Sequence, residues 1–261
     1  MLAKISLLSS FSFSVLYPLI FWISFRDPLK QNFHRFHLGL PAVIAGVTTF
    51  FILRNHYSEL YNVGCVIWFL NLLLVTSLNW TRKTPKLYGI SLVSIFGFSV
   101  FLALSSVLLK INNSQLFSFA LTQLLSGLIF VASLFAMNLG HWYLNVHGLP
   151  IKHLINATLV LFILLLARLL WCLSQLFTTK IFFDGWEISL LEFIKIPDGY
   201  LVGLAFLFGL IFPLISLFFV KGTLALKNTQ ATTGILYVIL CSVILGDIVF
   251  KYYLVKFGII L

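Results

Sequence analysis

Charge is scarce in this sequence. Only 9% of its 261 residues are Asp, Glu, Lys or Arg, and just 7 are acidic. Acids so few and so dispersed make no paired-carboxylate catalytic site. GxGxxG, Walker A, HExxH and GxSxG patterns are also missing, which removes the usual nucleotide-binding, zinc-protease and hydrolase classes and argues against an ATP-driven pump. No polar stretch exceeds about two dozen residues, so a separate soluble domain has no room. The three cysteines, Cys65, Cys172 and Cys241, each fall inside an apolar run, with no CxxC, CxxCH or Cys/His ligand spacing. Nothing there indicates a disulfide framework, covalent haem or a thiolate metal site.

What remains is hydrocarbon. Hydrophobic residues make up 61% of the chain, with a mean hydropathy of +1.07, far outside the range of a soluble domain. The net charge of +10 does not indicate nucleic acid, because the basic residues are scattered between apolar runs, as in the loops of a polytopic protein. Near the N-terminus a lone Lys4 and an apolar run resemble a signal peptide. That run continues to Phe25 without an Ala-x-Ala-like site and closes at Arg26, which predicts a retained first span.

A bilayer core of about 30 Å needs about 20 apolar residues per helix. Eight segments qualify, at 5–25, 38–54, 61–80, 87–109, 116–140, 154–177, 200–220 and 232–255. They predict an all-α polytopic helical bundle in a single transmembrane domain over 1–261. Trp22, Tyr61, Trp80, Tyr88, Trp142, Tyr143, Tyr200 and Tyr252 mark span ends at headgroup level. Pro18 and Pro213 fall inside the first and seventh spans and predict kinks there. No internal repeat aligns. Eight spans put both termini on one side, and the dense Arg82-Lys83-Thr84-Pro85-Lys86 loop belongs on the other. By the positive-inside rule that loop is expected to be cytoplasmic and both termini extracytoplasmic. The loop over 178–199 is then external. Its alternation of Trp186, Leu190, Leu191, Phe193 and Ile194 with Glu187, Ser189, Glu192 and Lys195 predicts an interfacial amphipathic helix over about 184–196.

Charges within a span cost about 2.5–3.5 kcal/mol each on insertion scales and usually face a partner or cavity. Three stand out: Arg168 in the sixth span, and Asp247 and Lys251 in the eighth. Arg168 and Asp247 lie at similar depth, which allows an ion pair. Asp247 and Lys251 share a helix face at i, i+4. Such a trio fits a proton, quinol or substrate-headgroup site equally with a pair that fixes helix register. Asn71, Gln123 and Gln175 could line a polar pathway, but interhelical hydrogen bonds are the expectation.

Five histidines, His34, His37, His141, His147 and His153, fall on the cytoplasmic side, and His56 on the other. None is deep in an expected span, so no haem or metal is predicted. Solvated loop histidines are the expectation, although His34 and His37 share a helical face if the second span already includes 35–38, and His37 with His141 could assemble one interfacial site. The stretch 140–153 reads as a helix hairpin with Trp142 and Tyr143 in the aromatic belt and a turn at Gly148 and Pro150. His141 is its candidate for a proton path or a quinone-carbonyl contact.

The last span reads Leu245-Gly246-Asp247-Ile248-Val249-Phe250-Lys251-Tyr252-Tyr253. This Gly-acid pair, with a base four residues after the acid and then aromatics, resembles the final helix of the quinol-oxidising anchor subunits of molybdopterin reductases, the dimethyl-sulfoxide-reductase anchor and its polysulfide-reductase relatives. The resemblance implies eight spans with both termini outside, no haem, electron transfer from quinol to an iron-sulfur partner subunit, and a quinone site near Asp247 and Lys251.

The expectation is therefore a subunit of a membrane redox complex that binds quinone, docks other protein subunits and has no activity alone. A small secondary transporter with Arg168 and Asp247 in its pathway is one alternative, and a structural or assembly subunit is another. A quinone site calls for an interhelical cavity with an isoprenoid-sized mouth near Asp247. A transporter calls for a central polar cavity, usually with repeat symmetry. A structural subunit calls for a charged trio that is fully paired and dry.

Overall fold

The structure, a computed structural model, describes residues 1–24, 31–55, 58–146 and 149–261. Among them, eight helices are long and apolar enough to cross a membrane: Leu2–Ile23, Asn32–Arg54, Glu59–Trp80, Leu87–Leu109, Asn113–Asn145, Lys152–Thr178, Pro197–Ala225 and Thr229–Phe257. The eight expected segments are all present, in an all-α polytopic arrangement. Most spans begin earlier than hydropathy placed them, the second at Asn32 instead of 38. Hydropathy registers the hydrocarbon-facing turns, and these helices continue past them through polar residues suited to the headgroup layer.

The chain groups into two compact units, Leu2–Ala120 and Leu121–Leu261, with the boundary inside the fifth span. In the first unit the four spans form a ring, each packed on the next and the first also on the fourth. Its centre is aromatic: Phe11 lies 5.0 Å from Trp68 and 5.4 Å from Phe101, ring to ring. The Trp68 indole presses on the backbone at Gly97, where a Cβ would sit 2.1 Å from Nε1. At Pro18 the α-helix Leu2–Leu16 gives way to a 3-10 stretch, Tyr17–Ser24. A proline cannot supply the N–H that an α-turn needs, and a tighter turn is the local answer.

In the second unit the seventh span packs against both the sixth and the eighth. Pro213 is accommodated by a π turn over Leu207–Ile211, in which the Phe212 N–H reaches back to the Leu207 carbonyl. The next carbonyl, that of Phe208, would look to position 213, where proline has no N–H. The Ser242 hydroxyl of the eighth span donates to it instead. Ser242→Ala should therefore cost about 1–3 kcal/mol, the penalty for an orphaned buried acceptor, and the loss is read as a lower thermal midpoint in detergent. The same turn lets two backbones touch. A Cβ on Gly246 would lie 2.2 Å from the Cα of Gly209.

The eighth helix stops at Gly258, which adopts the left-handed conformation at φ 69°. That turn sends Ile259, Ile260 and Leu261 into the core, where all three are buried.

The segment after the sixth span differs from the expected amphipathic helix. Lys180–Phe183 and Trp186–Ser189 form an antiparallel hairpin, β1 and β2, with Lys180 opposite Ser189 and Phe183 opposite Trp186. Only Leu190–Phe193 is helical, started by reciprocal hydrogen bonds between Ser189 and Glu192. The cause is Asp184-Gly185, both at positive φ, the dipeptide that favours a tight hairpin turn over a helix. Phe193 anchors the segment against Tyr253 and Phe257, at 6.0 and 5.3 Å between ring centroids. Its carbonyl also fixes Gly199, where a Cβ would stand 1.9 Å away.

Candidate functional site

The second unit carries charge in its interior. Arg168 and Lys251 are each 2% exposed and Asp247 is 8% exposed. The sixth helix brings Arg168 about 24 Å from its start and the eighth brings Asp247 about 27 Å from its own, at 1.5 Å per residue. Both positions lie beyond the middle of their spans.

The i, i+4 pairing of the eighth helix is realised, with Lys251 Nζ 2.5 Å from Asp247 Oδ2. The other carboxylate oxygen accepts a hydrogen bond from the Ser126 hydroxyl of the fifth span. Arg168 is directed elsewhere. Its Nη1 donates to the Thr122 carbonyl at 3.2 Å, its Nη2 donates to the main-chain oxygen of Leu261, and its guanidinium lies 5.5 Å from the Phe250 ring centroid. Of the two pairings that the sequence allows for Asp247, with Arg168 or with Lys251, the one formed is Asp247–Lys251. A side chain four residues away on the same helix reaches the carboxylate without any tertiary constraint, and the Gly258 turn supplies Arg168 with a carbonyl. Trp171, one turn after Arg168, ties in through Nε1 to the Thr122 hydroxyl at 2.9 Å.

Two small cavities adjoin the cluster. One, of about 10 Å³ open to the centre of a water molecule, is lined by Thr122, Gln123, Ser126, Arg168, Lys251 and apolar neighbours. The other, of about 20 Å³ on the same measure, is bordered by Ser126, Arg168, Asp247 and Phe250. Arg168 and Asp247, identified separately in the sequence, therefore meet across a shared cavity.

Of the fifth helix's contribution, sequence reading singled out Gln123 but missed Thr122 and Ser126. Thr122 and Ser126 are four residues apart, on one face, and that spacing was the available signal. The part played by Leu261 had none, since it depends on a reversal at Gly258.

His141 is not part of this cluster. It lies fifteen residues, about 22 Å, along the fifth helix from Ser126, is exposed, and has Nδ1 3.4 Å from the Tyr237 hydroxyl. The helix-hairpin reading around it is supported by the Tyr143 hydroxyl, which donates to the Pro150 carbonyl. Three other histidines overturn the expectation of solvated loops: His34, His37 and His153 are buried. The second helix starts early enough to place His34 and His37 on its inward face, where His37 Nδ1 is 2.6 Å from the Tyr17 hydroxyl. His56 and His147 lie outside the described residues. No group of three or more His, Cys, Asp and Glu able to hold a metal occurs among the described residues.

The uncharged polar groups also differ from expectation. Asn71 donates to Ile67 of its own helix and Gln175 accepts from Thr179 just beyond its own helix, the local bonding open to a polar group within reach of nearby backbone or side-chain partners. Gln123 alone of the three enters the cluster.

These features define a multi-pass helical membrane protein with a paired charge cluster buried in its second unit. No known protein family, curated protein or solved structure matches the chain.

Proposed function

We propose that the protein is a subunit of a larger membrane complex with a structural or assembly role, in which Arg168, Asp247 and Lys251 hold the fifth, sixth and eighth helices in register. The observation that supports this is the pairing of the cluster. Asp247 engages Lys251 and Ser126, Arg168 engages two main-chain oxygens, and the adjoining cavities are the size of single waters. Ligand pockets for organic molecules run to about 300–1,000 Å³. The protein sits in a bacterial inner membrane with both termini extracytoplasmic, an orientation that the short Arg82 to Lys86 loop supports under the positive-inside rule.

The redox-anchor reading is the second. Its support is that Asp247 and Lys251, the acid and base of the anchor-like last helix, do face each other. On that reading the helices part to admit a quinone headgroup. Purification in mild detergent, with lipid extraction and native mass spectrometry, separates the two. A structural subunit carries a protein partner at fixed stoichiometry and no quinone. Stoichiometric quinone overturns the structural reading in favour of the redox anchor.

A further inference from the structure

The Oε1 atom of Gln123 is buried and has no hydrogen-bond partner among the described residues, and Gln123 lines the smaller cavity. An amide oxygen left unpaired in an apolar interior costs about 1–3 kcal/mol, so the chemistry of the cavity specifies an occupant. It has to donate to Oε1, which excludes an anion. Arg168 and Lys251 border the same space, which excludes a cation. The volume of about 10 Å³ admits a single heavy atom. A neutral, one-atom donor with acceptor capacity for a neighbouring N–H is water.

We propose that the cluster is a hydrated site, with one water bound by Gln123 in the smaller cavity and a second beside Asp247 in the larger. The two cavities share Ser126, Arg168 and Phe250, so the waters are neighbours. They extend the hydrogen-bonded network from the Asp247–Lys251 pair through Ser126 to Gln123. The ion pair is thereby hydrated, which corrects the dry trio expected of a structural subunit, because single waters that complete a polar network also help to hold helices in register. Two waters at a buried polar cluster are ordinary hydration, since folded proteins hold roughly one buried water per 27 residues. The inference stands whether the cluster serves assembly or quinone chemistry.

The test uses the full chain in lipid nanodiscs. Infrared difference spectra between H₂¹⁶O and H₂¹⁸O should show isotope-sensitive O–H stretching bands of enclosed water in the wild type. In Gln123→Leu one such band is lost and the thermal midpoint falls by about 2–4 °C, because the remaining polar groups lose their bridge. Absence of these bands from the wild type overturns the proposal irrespective of any variant. So does a Gln123→Leu protein that keeps every band, or one whose midpoint rises, since removing an orphaned amide from a dry cavity is stabilising.

Discussion

Replacing Lys251 by methionine is expected to cost about 3–5 kcal/mol, because it leaves the Asp247 carboxylate buried without its ion-pair partner. Ser126 still donates to one oxygen, but a hydroxyl does not neutralise a charge in low dielectric. The readout is the thermal midpoint in detergent together with the amount of protein recovered from membranes. Changing both partners reverses the sign of the argument. Asp247→Leu combined with Lys251→Met removes the charges together, and well-packed apolar replacements of buried pairs are often neutral or stabilising. The double variant should therefore be more stable than Lys251→Met. If it is no better, the two side chains do not act as a pair.

The second large effect is steric. Gly246→Ala places a methyl 2.2 Å from the Cα of Gly209, whereas Gly209→Ala places one 3.0 Å from the Cα of Gly246. Neither neighbour is a flexible side chain, so the seventh and eighth helices have to move apart. Overpacking of this kind costs about 1–3 kcal/mol and sometimes more. Gly246→Ala should fall at or above the top of that range and Gly209→Ala below it. Equal midpoints for the two variants would mean that the helices are not held at backbone contact. Gly246 precedes Asp247, so a shift of the helix there also moves the carboxylate from Ser126.

The class of the fold was legible because hydrophobic runs of bilayer length admit few other readings. Hydropathy was poorer at span ends. It began the second span at 38 and so left His34 and His37 in a solvated loop, although Asn32–Arg54 is one helix and both rings are buried. In the segment after the sixth span, the helical spacing of apolar residues outweighed Asp184-Gly185, and the hairpin was missed. Turn chemistry carried the stronger information there, because a dipeptide at positive φ fixes strand register directly.

The members of the candidate site were partly legible too. Intramembrane charge identified Arg168, Asp247 and Lys251, and i, i+4 spacing identified the pair that forms. Spacing could not indicate where Arg168 would turn. Its partners are main-chain oxygens of Thr122 and Leu261, and main-chain groups have no signature in side-chain identity. Gln123 was visible as a polar residue within a span, but its place beside the cluster depends on how the fifth helix is rotated. His141 was singled out for its chemistry, and the helix carries it away from the charges it would need to serve a proton path through them.

The most direct measurement is the state of the proposed membrane complex in cells whose only copy of this chain carries Asp247→Leu with Lys251→Met. Chain abundance is followed by immunoblot, and complex assembly and activity in the isolated membranes. A cluster that serves to hold helices in register predicts less assembled complex, because the Asp247–Ser126 link between the fifth and eighth helices is gone, with normal activity in whatever assembles. Normal chain levels with an assembled but inactive complex would contradict the structural role and assign the pair to chemistry.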